Sequence, residues 1–326
     1  KDRILEKEIY KVQSFEEKPT EKKAAELIAE GGEKAGLLPY GGLCAMLARN
    51  SFGDGRFGSG DGVHDANLLA DNMKGVALYA PDMIELQKEF MTQIWTHVNP
   101  YTGLAYKDEP AIMAWQLCNE PRPFAKENKA AFAEWISGAA ALIKSIDPNH
   151  LVSTGSEGYI GCEVDMELCE KIHADKNIDY LTIHIWPVNW GWAPRNNPDS
   201  GIDNACLESG KYIDEHIVLA NKLNRPLVIE EFGFSRRGNE SGTGIPTDSR
   251  DKFYRYIFGR VAEGAPLAGC NFWGWGGSGR PRDLVWQPGD DYLCDPPHEP
   301  QGWYSVFDND TTTIETIKEF TKAITE

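Results

Sequence analysis

From about residue 80 to its C-terminal end the chain alternates between two apolar rhythms. Met83, Leu86, Phe90, Ile94 and Val98 recur at spacings of three and four, the core stripe of an amphipathic helix. The run 112–118 is apolar apart from Gln116 and lies between Pro110 and Pro121, too short and too bounded for a helix. It predicts a parallel strand covered on both faces. The same change of period repeats down the chain. Phe132, Ile136, Ala139, Ile143 and Ile146 mark a helix, followed by a strand over 151–154 and a helix over 165–174. A strand over 180–186 precedes a helix over 206–223 with Ile213 and Ile217 inward. A strand over 226–231 precedes a helix over 250–263, and a strand over 267–273 precedes a last helix over 313–324. Five strand–helix pairs of this kind predict a parallel sheet with helices outside it.

Residues 1–78 do not share this rhythm. Residues 9–15 alternate like a strand, residues 20–33 read as a helix with Thr20 as N-cap, and residues 51–62 carry five glycines, too many for regular structure. The expected organisation is therefore an unassigned N-terminal segment, 1–78, and a regular α/β region, 79–326.

Composition narrows the function. With 33 Lys and Arg against 50 Asp and Glu the chain carries a net charge of -17, which excludes electrostatic attachment to nucleic acid or an anionic membrane. Ten Trp and twelve Tyr suit a cleft that stacks on the apolar faces of sugar rings. The seven Cys form no C-x-x-C pair and no His stands at ligand spacing from them, so neither a metal site nor a dense disulfide framework is expected; most are small core residues. No apolar run is long enough to span a bilayer, and no signal peptide is evident in a chain that begins at Lys1.

Each predicted strand runs out into polar or aromatic residues: Asn119 and Glu120, Ser156 and Glu157, His184 and Trp186, Glu230 and Glu231, Trp273 and Trp275. Chemistry at the ends of several strands, rather than at one switch point, favours a closed (β/α)₈ TIM barrel over an open sheet. Two carboxylates from different strands are what glycoside hydrolysis requires: one protonates the leaving oxygen and the other attacks or activates water. Strand alternation sends Glu230 and Glu231 to opposite faces, so only one is expected to face the mouth, with Glu230 a structural partner on the outer face.

Asn119-Glu120-Pro121-Arg122, His184-x-Trp186-Pro187, Glu230-Glu231-Phe232-Gly233 and Asn271-Phe272-Trp273, in this order, resemble the family-five glycoside hydrolases of the retaining barrel clan. Within that family, Tyr101-Thr-Gly-x-x-Tyr106-Lys107-Asp108-x-Pro110 and Gly155-Ser-Glu157-Gly158 resemble the endo-β-1,4-mannanases. The resemblance covers residues 80–326, which would then hold strands four to eight of the barrel. It implies Glu120 as acid/base and Glu231 as nucleophile. It further implies Asn119 on the sugar 2-hydroxyl, His184 orienting the acid/base, Trp273 as the platform under the cleaved sugar, and Arg122 and Glu157 at a neighbouring subsite. The implied substrate is β-mannan polysaccharide or oligosaccharide, cleaved without cofactor or metal by a secreted or periplasmic monomer. A β-1,4-glucanase and a non-catalytic carbohydrate-binding barrel remain the alternatives.

The sequence departs from the family pattern in two places. Trp186 stands where many members have a Tyr that bonds the nucleophile; its indole can donate one hydrogen bond but cannot ionise, and it is expected among the substrate-binding residues. The family's Arg near the second strand and His after the third are not found before residue 80, so the first three βα units are expected to be divergent, replaced or incomplete. Ser14 to Pro19 also resembles a Phe-x-Glu-Lys-Pro element of sugar nucleotidyltransferases, over six residues only and with no Gly-rich loop upstream. Outside the motifs, His97, His150, His173 and His216 are expected to be solvated. Trp190 and Trp192 fit either a subsite or loop packing, and Trp275, Arg280 and Trp286 fall in a long segment that could wall the cleft.

Overall fold

The computed structural model describes residues 81–326, apart from 124, 125, 238, 239, 241, 288, 292, 297, 298 and 326. The strand expected over 9–15, the helix over 20–33, the loop over 51–62, the Phe-x-Glu-Lys-Pro phrase and Cys44 lie outside the described residues, as does the boundary at 78.

The strand–helix alternation is present through the described chain. Helix α1 (Pro81–Thr96) precedes β1 (Ala114–Gln116), α2 (Lys129–Ile146), β2 (Leu151–Ser153), α3 (Met166–His173) and β3 (Leu181–Ile185). Helix α4 (Ile202–Leu223), β4 (Leu227–Phe232), α5 (Asp248–Ala262), β5 (Leu267–Phe272) and a final helix α6 (Thr311–Thr325) complete it. All pairings among these strands are parallel, β1 with β2 in one ladder and β3-β4-β5 in another. The two ladders join where Asp179 N–H donates to Val152 O (2.8 Å) and His184 N–H to Glu157 O (3.2 Å).

Helices pack on this sheet through the residues their periodicity singles out. Ile136, Ala139 and Ile143 of α2 are buried. Phe232 of β4 meets Phe253, Tyr254 and Phe258 of α5, and Phe258 stacks on Phe320 of α6 at 4.3 Å. α3 is capped by Asp165, whose carboxylate accepts from Leu168 N–H at 3.0 Å. No helix among the described residues is long and apolar enough to cross a membrane.

Two expectations need correction. β1 is three residues long, not seven, and is not covered on both faces: Met113 and Gln116 are exposed. Among the described residues it pairs with β2 alone, so its other edge and one face lack the second neighbour that full burial requires. Solvation of the histidines fails for three of the four. His97 is exposed, but His150, His173 and His216 are buried, each with both ring nitrogens bonded. A helical position reads as solvated only from its polar side chain, and here local acceptors one turn back, such as Cys169 O and Tyr212 O, let an imidazole enter the core.

The periodicity also missed β6 (Trp275–Gly277) paired with β7 (Val306–Phe307). These short strands belong to the long connection between β5 and α6, which is tied down by buried charge. The Arg236 and Arg250 guanidiniums, both fully buried, bond Asp310 and the carbonyls of Gly302, Trp303 and Ser305. Asp295 accepts from Gly302 N–H and Tyr304 N–H.

Candidate active site

Glu120 is delivered by a sharp turn rather than by the strand itself. After β1, Leu117 N–H still donates to Ser153 O, and Glu120 N–H donates to Gly155 O at 2.9 Å. Glu120 has φ +50, a left-handed conformation that costs a non-glycine residue energy and clusters at functional sites. The turn requires Gly155, itself at φ +70, because a Cβ there would overlap the Cys118 carbonyl oxygen. Gly155→Ala is therefore expected to cost about 3 kcal/mol or more and to displace Glu120. Gly103→Ala, also at positive φ (+74) but with open space around it, should cost only about 1 kcal/mol. Denaturant unfolding of the two variants checks the difference.

On β4 the expected alternation breaks. Ile229 pairs with Ile183 and Cys270, but the next partners are Glu231 with His184 and Phe232 with Phe272. Glu230 is thus an extra residue, a β-bulge of the kind rare in parallel ladders. The bulge corrects the expectation that Glu230 lies on the outer face. Its carboxylate accepts from the Gln116 side chain of β1 and from Tyr180 Oη (3.4 Å), and lies 3.9 Å from His184 Nε2. Glu231, one residue on, faces His184 Nδ1 at 3.2 Å, and Glu120 accepts from the same nitrogen at 2.7 Å. Glu120, His184 and Glu231 each offer an atom within 4.8 Å of the others.

The charges explain one another. Burial opposes a cation at His184, but the carboxylates of Glu120, Glu230 and Glu231 around its ring nitrogens outweigh it and push its pKa up to about 11. His184 is only 1% exposed and carries its proton among three carboxylates. Although these atoms stand at ligand spacing, a metal ion would have to displace that tightly held proton. Behind them Glu157, 2% exposed, pairs with Arg122. Burial, then the Glu120 carboxylate, raise Glu157 to about 7 against the pull of Arg122. Glu157 thus meets Arg122 rather than open space, while Asn119 is exposed beside Glu120.

The aromatic residues form one wall. Trp273 is half-buried, its backbone N–H donating to Phe232 O. Trp186 is buried edge-on between Trp273 (6.5 Å) and Tyr304 (4.9 Å). Gly233 permits this packing, because a Cβ there would meet Trp186 and Tyr304 at 2.9 Å. Trp190 and Trp192 pack on each other and on Tyr212. Trp275 is exposed, and Arg280 bonds Gly277 O and Gly279 O, holding its own turn. A cavity of about 340 Å³ lies between Trp273 and the long connection, lined by Trp286, Cys294, Asp295 and Gln301 among others. Tyr101 is 96% exposed on the connection leading into β1, at the opposite end of the sheet from Glu120.

Three residues here were not singled out from the sequence. Tyr304 Oη donates to Asn189 Oδ1 (2.5 Å), and Asn189 Nδ2 donates to Glu299 (3.2 Å). Burial, then Asp295, raise Glu299 to about 7, and Glu120 acts in the same direction. Asn189 lies two residues after His184-x-Trp186-Pro187 and could have been read as its continuation. Glu299 follows no periodic pattern.

Paired carboxylates at the carboxyl ends of parallel strands are the arrangement that the class of glycoside hydrolases uses. The chain belongs to the glycoside hydrolase family 5 beta-mannosidase-like family, whose profile matches residues 69–326. It is similar to mannan endo-1,4-beta-mannosidase 2 of Arabidopsis thaliana, 30% identical over 202 residues, covering 57% of this chain and 44% of that protein. Mannan endo-1,4-beta-mannosidase 8 of Oryza sativa subsp. japonica is 30% identical over 208 residues, covering 59% and 54%. The chain spans about half the length of these curated relatives. Among solved structures, the glycoside hydrolase family 5 mannosidase of Rhizomucor miehei aligns with TM-score 0.65 and 30% identity over 87% of this chain and 63% of that one. The endo-beta-1,4-mannanase of Thermotoga petrophila aligns with TM-score 0.58 and 26% identity, over 77% and 51%.

Proposed function

We propose that this chain is a retaining glycoside hydrolase that cleaves β-1,4-mannosidic bonds in mannan, glucomannan or galactomannan, acting within the polymer. The observation that carries this reading is the pair Glu120 and Glu231, with oxygens no more than 4.8 Å apart across His184. That spacing is on the scale of the roughly 5–5.5 Å of double displacement and short of the roughly 6.5–9.5 Å of an inverting pair. In the first step Glu231 attacks the anomeric carbon while Glu120 gives its proton to the departing oxygen. In the second, Glu120 takes a proton from water, which releases the sugar from Glu231. Asn119 bonds the 2-hydroxyl, axial in mannose, and Trp273 lies under the ring. His184 holds both carboxylates in place, and Arg122, anchored by Glu157, borders the next sugar. Residues 79–326 supply strands four to eight of a closed (β/α)₈ barrel in this reading, working as a secreted or periplasmic monomer without cofactor.

Reducing-sugar release from mannan, glucomannan and carboxymethyl cellulose tests it. Release from the mannans is expected. Release from cellulose alone selects the glucanase alternative, and binding without release selects the non-catalytic one.

A second reading, removal of single mannose units from chain ends, is favoured by the wall beside Glu120. Glu299 and Asn189 come from elements that border Trp273, and the long connection folds back over it. Early products from mannohexaose separate the two: a spread of oligosaccharides supports internal cleavage, and mannose alone supports release from the end.

A further inference from the structure

The turn after β2 carries Glu157 and then folds back onto α3. Within it Glu163 (φ 59) and Val164 (φ 53) are consecutive left-handed residues, and Val164 is a β-branched residue that is 74% exposed. Such a residue adopts this conformation only when its surroundings enforce it, and packing on Val164 does not. The backbone is held by Cys162 N–H and Asp165 N–H, both donating to Tyr159 O. Its effect is to bring Cys162 back onto Cys169, on the first turns of α3. Both thiols are fully buried. Cys169 N–H donates to Asp165 O (3.0 Å), and Asp165 N–H shares the Tyr159 carbonyl with Cys162 N–H, so the turn and the start of α3 set the two side chains against each other. The catalytic arrangement uses neither. Cys169 Sγ lies 3.6 Å from His173 Nδ1, but that nitrogen is bonded to Cys169 O at 2.8 Å, and burial holds His173 neutral, so the imidazole does not activate the thiol.

We propose that Cys162 and Cys169 become a disulfide when the chain folds in an oxidising medium, clamping the Glu157 turn to α3. The oxidant is a small disulfide such as glutathione disulfide. One thiolate attacks it and releases one glutathione, and the second thiolate displaces the other from the mixed disulfide. Two thiols and one glutathione disulfide thus become one cystine and two glutathiones. The exchange takes place before the core closes, and burial afterwards shields the bond from reductant. The loop closed is short, so the gain comes from removing the freedom of a turn that the backbone alone holds in an unfavourable conformation. The inference is independent of which polysaccharide the chain cleaves.

The test is peptide mapping of the full chain refolded with reduced and oxidised glutathione, then alkylated in denaturant without reduction. A Glu-specific protease cuts at Glu163 and Glu167, which separates the two cysteines. The expected result is a linked pair of peptides containing Cys162 and Cys169, resolved by dithiothreitol. Reduction should lower Tm by roughly 3–5 °C, and Cys162→Ser should lose that response. Full alkylation of both cysteines after oxidative refolding overturns the proposal, as does linkage of either one to a different cysteine. Should the serine variant fail to fold, the map of the unaltered protein decides.

Discussion

Replacing Glu231 by alanine is expected to lower turnover of every β-linked substrate by about 10⁴-fold or more, because no covalent intermediate can then form. Glu120→Gln should behave differently. On polysaccharide, where the leaving group is a poor one, the loss should be about 10²–10⁴-fold, the range of a general acid. On a dinitrophenyl mannoside, whose leaving group departs unprotonated, bond cleavage should be nearly unaffected. Azide distinguishes the two sites further. In Glu231→Ala it can occupy the space of the missing carboxylate and attack from that side, giving the α-mannosyl azide. In Glu120→Ala it enters from the other face onto the intermediate and gives the β-azide. NMR of the azide products provides the check; the same anomer from both variants would contradict the assigned roles.

The second large effect concerns acid. His173 and His216 are fully buried, and burial holds each at about 4, against an ordinary 6.5. Arg225, which bonds His173 O, pushes in the same direction, and His173 pushes likewise on His216. A base whose folded pKa is depressed binds its proton more readily when unfolded, so stability falls as pH drops from 6.5 towards 4. Each histidine contributes about 3 kcal/mol over that window. Glu157 and Glu299, raised to about 7, act with the opposite sign between 7 and 4.5, since the folded state takes up their protons first. The parent protein should therefore lose less on acidification than the histidines alone would impose. Relative to it, His216→Asn should gain about 3 kcal/mol as pH falls from 6.5 to 4, and Glu157→Gln should lose stability. Denaturation midpoints measured across this range test both signs. A constant offset between His216→Asn and the parent would show that the buried imidazole does not titrate there. Above pH 6.5 the raised pKa of His184 acts in the alkaline direction, its contribution fading as pH climbs towards 11.

The order of elements was readable because each apolar stripe has one period and one partner surface. Ile136 and Ile143 on α2 and Ile213 on α4 lie in the core where their spacing puts them. Lengths were less readable. β1 contracts to three residues because the pattern records apolar character and not which edge a neighbour covers. The motif residues Glu120, His184 and Glu231 do converge, but their convergence depends on two features that periodicity does not encode. One is the left-handed turn at Glu120 enforced at Gly155; the other is the extra residue in β4, which turns Glu230 inward against strict alternation. Glu299 was out of reach for a different reason. It lies in an aperiodic connection, and only the tertiary packing of Asn189 and Tyr304 gives it a position.

The inserted position in β4 has a wider consequence. It fixes the spacing of Glu231 from His184 and Glu120 in hydrogen-bonded backbone, where a change of one step would alter everything downstream. The segments that border Trp186 and Trp273, between β3 and α4 and between β5 and α6, hang from that frame without determining it. Under the proposed function, substitutions in those outer segments are therefore expected to change which sugar is taken while leaving the Glu120–His184–Glu231 spacing unaltered.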